Sequence, residues 1–204
     1  MVIELTYLWA RNGYLDNKEV DASMWLKIGN FIWFQAIWWT IILFQNDAVI
    51  PVFALIGIWV VISPLRIDDM KLMAIMFFVG TIIDGLLTYG GLFIFAEESP
   101  LIPFWPIPIW LSLLWVAFSG TVYHSMTAFK GRYILCAIGG AVFAPLSYIA
   151  GAKFEAVELG TSTVIAYAII ALVWSIIFPL CFYISDRIQD GGPSLNWQGE
   201  KTYD

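Results

Sequence analysis

Asp84 is the residue in this chain most able to do chemistry. It stands between Phe78 and Leu87, close to the middle of an apolar run long enough to cross a bilayer. A carboxylate at that depth costs several kcal/mol unless it faces protein or water. No Lys or Arg lies at a similar depth to pair with it. Asp84 is therefore either protonated or held by hydroxyl and amide donors. It then serves as a proton-relay or ligand-binding carboxylate, or as a hydrogen bond between helices.

Depth along a helix, at about 1.5 Å per residue, indicates which groups could meet it. Asp84 lies 13 residues beyond Lys71, and Ser147 and Tyr148 lie 15 and 16 beyond Arg132. Their levels match. Ser119 is close in depth and Gln35 somewhat lower, so these five residues form a candidate midplane polar cluster. The single histidine, His124, lies nearer the other end of its run, level with Asn30. It could shuttle protons, although an interfacial histidine is more often a hydrogen-bonding anchor.

Several chemistries are excluded by what is missing. One histidine cannot build a multi-histidine di-iron site or a His-Glu-x-x-His zinc site. One mid-membrane aspartate cannot form a two-aspartate protease. Ser119 and His124, five apart on one helix, point to different faces and make no catalytic dyad. Phosphate-binding glycine loops and the Gly-x-Ser-x-Gly elbow are absent. The residues imply no metal and no cofactor, and they leave open whether the protein is an enzyme. The net charge of −6 argues against nucleic acid, which needs a basic face.

The elements that must position these residues are membrane helices. Only 13% of the 204 residues are charged and 60% are hydrophobic, with a mean hydropathy of +0.79. A soluble surface needs roughly a quarter charged residues. Six runs read as transmembrane helices, about 25–44, 48–62, 70–95, 109–129, 133–152 and 162–185. They define an all-α transmembrane domain over 24–187, preceded by an interfacial arm, 1–23, and followed by a polar tail, 188–204. With the N-terminus inside, nine basic residues, among them Lys27, Arg66, Lys71, Lys130, Arg132 and Arg187, face the cytoplasm, and only Lys153 lies outside. Both termini are thus expected in the cytoplasm. Trp105 and Trp110 then fall at the outer interface. Pro145, inside the fifth helix, frees a backbone carbonyl and hints at a cavity beside Ser147 and Tyr148. Gly140 with Ala137, Ala141 and Ala144 would let another helix approach closely. Cys136 and Cys181 read as buried small hydrophobes.

Two stretches, Pro108 to Ser125 with its Trp110, Trp115 and Phe118, and Gly139 to Gly151 with its Pro145, Ser147 and Tyr148, resemble the DUF2878 family. The mid-helix Asp84 and the Asn30–Phe31 pair fit the same pattern, and the likeness spans about 30–179. The resemblance implies a bacterial inner-membrane protein of that fold, and its gene neighbourhoods, which hold genes resembling cyclopropane-fatty-acid synthases, point to lipid metabolism. The stretch Lys153 to Glu155 departs from the apolar, glycine-containing sequence the family would place there. The expected function is binding of a lipid or other apolar molecule in a midplane pocket at Asp84, in support of envelope-lipid modification. The alternatives are a proton-coupled small-molecule transporter, acting as a homodimer, and an accessory subunit of a membrane-protein complex.

Overall fold

The computed structural model of the protein describes residues 24–96 and 104–190. The interfacial arm, most of the proline-rich crossing and nearly all of the polar tail lie outside the described residues. The described chain is all-α apart from one two-residue strand pair. Its helices are α1 (24–44), α2 (Val49–Ile62), α3 (Arg66–Tyr89), α4 (Ile109–Ser119), α5 (Tyr133–Lys153) and α6 (Thr163–Asp190).

Four helical stretches, Met24–Ile62, Arg66–Tyr89, Tyr133–Lys153 and Thr163–Asp190, are long and apolar enough to cross a membrane. The first is a hairpin. The Trp33 indole donates to the Leu55 carbonyl at 3.1 Å and stacks on Trp59 at 5.1 Å. In one straight helix, residues 33 and 55 would stand about 33 Å apart. The reversal is made by the 3₁₀ turn Gln45–Ala48, where Gln45 takes a positive φ of 47°.

Six crossings of spanning length are therefore not found. At 14 and 11 residues, α2 and α4 measure about 21 and 17 Å, short of the roughly 30 Å hydrocarbon core. The physical reason is clearest for α4, which is not a lipid-facing helix. Trp110, Leu111, Leu113, Trp115, Ala117 and Phe118 are all buried, so its neighbours enclose it on nearly every side. Hydrophobicity alone does not distinguish protein from lipid as the surroundings. Beyond Ser119 the chain continues through turns and the 3₁₀ segment Thr127–Phe129 rather than as helix.

Local sequence explains the other boundaries. Ser63 is extended, as a residue before proline must be, and α2 stops there. Asp68 and Asp69 sit in the first turn of α3, where its partial positive charge favours carboxylates, but no side chain caps that helix. Helix α3 ends earlier than expected, at Tyr89. Gly91 takes a positive φ of 76° and the Leu92 amide reaches back to the Leu87 carbonyl, a glycine-dependent helix stop. The next residues, Phe93–Ile94 (β1), pair antiparallel with Glu158–Leu159 (β2). This clip ties the end of α3 to the start of α6. Gly160 completes it, because a Cβ there would collide with the Gly91 carbonyl.

The interior falls into two apolar clusters, one among α3, α4, α5 and α6 and one joining α1, α2 and α4. Gly140 lets α5 press against the backbone of α6 at Trp174, the close approach its small residues predict. The outward surface is apolar too: Ile50, Val61, Ile134 and Val164 are each more than three-quarters exposed. Such a surface is stable in lipid and not in water.

Candidate functional site

Asp84 is fully buried, and two donors converge on it. The Trp115 indole N–H donates to Oδ2 at 2.7 Å, and the Tyr148 hydroxyl lies 2.8 Å from Oδ1. A carboxylate with two good donors is stable in an apolar interior in a way that a bare one is not. The arrangement is prepared one turn earlier on α3. Gly80 has no side chain, so the Trp115 ring lies flat on the helix backbone; any Cβ at Gly80 would overlap it. Residues 80 and 84 share a helix face, so the glycine that admits the ring also aims its N–H at the acid.

The two donors are locked in turn. Trp115 stacks on Trp174 of α6 at 4.6 Å and 12°, and Tyr148 stacks on Phe93 of the strand clip at 5.1 Å and 5°. Trp115, Trp174, Tyr148 and Phe93 together form one wall of a cavity of about 690 Å³. Asp84 does not line that cavity; it stands behind the wall and holds it.

The opposite wall is α1, through Phe31, Phe34, Gln35, Trp38, Trp39 and Ile42, while Gly139, Gly140, Phe143, Ala144, Ser147 and Gly151 of α5 close the side. Along α5 the lining runs from Gly139 to Gly151, about 18 Å by helical rise. The α5 lining recurs at helical spacing through Pro145, which is buried. Three lining residues at the α1–α5 edge are open to the bundle's exterior: Phe31 at 51%, Trp39 at 45% and Phe143 at 67% exposure. The cavity therefore opens sideways, on the apolar flank.

The predicted midplane residues separate into three groups. Asp84 and Tyr148 meet directly. Ser147 and Gln35 line the cavity, with Ser147 accepting a hydrogen bond from Trp38 Nε1 at 2.9 Å. Ser119 joins neither; its hydroxyl donates to the Val116 carbonyl of its own helix. Sequence reasoning does not single out Trp115 and Trp38, which donate here, or Trp174, which stacks on Trp115, because tryptophan is read there only as an interface residue. Trp110, expected at the outer interface, is instead buried in the cavity lining, packed edge-on against Phe95.

The second predicted pair, His124 and Asn30, stays at the other end of the bundle and does not form one contact. Asn30 donates to the Gly120 carbonyl at 2.9 Å and accepts from the Ser125 hydroxyl at 2.6 Å. His124 Nε2 lies 2.9 Å from Asp69 Oδ2, and Ser63 donates to that same carboxylate. Ser63 also approaches Nε2, at 3.4 Å. A serine–histidine–aspartate relay needs the two partners on different ring nitrogens. Here both meet Nε2, so the group ties α2, α3 and the segment after α4 together. This is the anchoring role the sequence suggested, with Asp69 as the missed partner. Among the described residues no group of three His, Cys, Asp or Glu could hold a metal ion, and Cys136 and Cys181 are buried and free.

Set beside known proteins, residues 27–180 match the model of one family, described as "Protein of unknown function (DUF2878)". No curated protein and no solved structure matches the chain.

Proposed function

The chain belongs to the DUF2878 family, and we propose that it binds a lipid or another largely apolar molecule between α1 and α5, drawing it from the bilayer. One observation carries this reading: a cavity of about 690 Å³ lined almost wholly by aromatic and aliphatic side chains, open on the apolar flank of the bundle. Its volume lies in the range of small-molecule sites, and such sites combine apolar walls with a few placed polar groups. Asp84 acts here through Trp115 and Tyr148, as a positioning residue that fixes the shape of the wall.

The proposal includes an orientation. The ends of α2 and α4, the starts of α3 and α5 and the end of α6 meet at one end of the bundle, where Lys130 bonds Gln189 and Tyr133 bonds Asp186. That end carries Lys27, Arg66, Lys71, Lys130, Arg132 and Arg187, while Lys153 lies at the other. By the basic-residue rule it is the cytoplasmic end, with both termini there, in a bacterial inner membrane. On this reading α2 and α4 complete six passages of the chain across the bilayer, as short segments enclosed by longer ones. Support of envelope-lipid modification is the narrower role we assign to the bound molecule.

The test is extraction. The full chain, purified in detergent, is treated with organic solvent and the released molecules are identified by mass spectrometry. The same is done for Ala144→Phe, which fills the cavity from a half-buried lining position. The reading expects a stoichiometric apolar molecule on the wild type that is lost from a folded Ala144→Phe. Equal recovery from both proteins would refute it.

A further inference from the structure

The cavity's polar groups say more about its occupant than its walls do. None of the described residues lining it is Lys, Arg, His, Asp or Glu. A charged headgroup drawn inside would have no counter-ion and would bear the full cost of burial. The lining does hold hydrogen-bonding groups without partners. The Gln35 amide makes no hydrogen bond among the described residues. The indole N–H groups of two other lining residues, Trp110 and Trp174, also lack partners, but both are sealed inside the protein and do not reach the cavity surface. Ser147 accepts from Trp38 Nε1, which leaves its own O–H proton to donate. Gln35 is one turn from Trp38 on α1, so the Gln35 and Ser147 groups face the cavity at about the same level.

A donor that faces an apolar cavity is left unsatisfied unless a bound molecule accepts from it. The Gln35 and Ser147 donors call for a ligand with oxygen acceptors inside its apolar body. We propose that the occupant is an uncharged lipid whose carbonyl or hydroxyl oxygens are held between Gln35 and Ser147. An acylglycerol and an isoprenoid quinone share this chemistry. The proposal rests on the cavity being a lipid site and narrows which lipids fit.

The experiment is native mass spectrometry of the full chain in one detergent, titrated separately with dioleoylglycerol, decylubiquinone and dioleoylphosphatidate. At least one neutral probe should saturate at one per chain, and phosphatidate, with the same tails as the glyceride, should bind at least tenfold more weakly. The stronger neutral probe identifies the source. Gln35→Leu, a half-buried change at the cavity edge, should weaken the neutral probe by about fivefold. Phosphatidate binding as tightly as the neutral probes, or Gln35→Leu without effect, overturns the assignment. If those results appear while Ala144→Phe still abolishes binding, the lipid site stands and only the neutral-oxygen assignment fails. If no probe binds the wild type, both fail.

Discussion

Asp84 shows how a single acid can be tolerated deep in an apolar bundle without a cation. Its two donors are rigid aromatic side chains, each stacked on a second ring, so holding them in place costs little extra conformational entropy. Replacing the acid by leucine strands a buried indole N–H and a buried phenol O–H. Asp84→Leu should therefore lower stability by about 2–5 kcal/mol, whereas Asp84→Asn, which keeps an acceptor, should cost about half as much. Thermal unfolding in detergent, followed by circular dichroism, would measure the difference; equal losses would mean the donors do not depend on the acid. The His124 cluster allows a parallel test. His124→Leu leaves the Asp69 carboxylate with Ser63 alone and should cost about 2–3 kcal/mol, without loss of the bound molecule, since His124, Asp69 and Ser63 do not themselves line the cavity. The common level of Asp84 and Tyr148 was legible from depth arithmetic, because helical rise is fixed, but that α3 and α5 bring the two into contact was not. Trp115 was not, because nothing in a sequence distinguishes a tryptophan that packs from one that donates. Asp69 was hidden for a similar reason: its place near the start of α3 has a sufficient local explanation, and its inward turn toward His124 is a tertiary fact.

Among the elements, α3 and α5 do most to shape the site, and both rely on missing side chains. Gly80 admits the Trp115 ring and Gly140 admits the backbone of α6. Gly80→Ala should push the indole from its place and break its bond to Asp84. A stability loss of about 1–3 kcal/mol should follow, together with a red-shifted tryptophan emission as the ring meets a looser environment. An unchanged spectrum and melting point would show that α3 yields instead. The end of α5 offers a change in the opposite direction. Glu155 takes a positive φ of 61° at the helix stop, and the Ala156 amide returns to the Gly151 carbonyl. A residue with a Cβ is strained there, so Glu155→Gly should raise stability by about 1 kcal/mol. The spacing of apolar runs indicated that helices occur over nearly all of these segments. It did not give the lengths of α2 and α4, because an interior helix and a lipid-facing helix are equally apolar; what separates them is whether neighbours surround them.

The whole molecule is a bundle with an apolar outside, a buried post in α4, and a cavity between α1 and α5 walled by aromatic rings. Its two ends differ in charge, and the cavity between α1 and α5 opens on the flank. These features agree with a molecule that exchanges its ligand with the surrounding lipid. The most direct measurement of this account is an experimental density map of the full chain in lipid nanodiscs. Elongated density lying along α5 from Gly140 to Gly151, against Trp38 and Tyr148, is the result the account predicts. A collapsed cavity, or a water-filled path leading from one face of the membrane to Asp84, would contradict it.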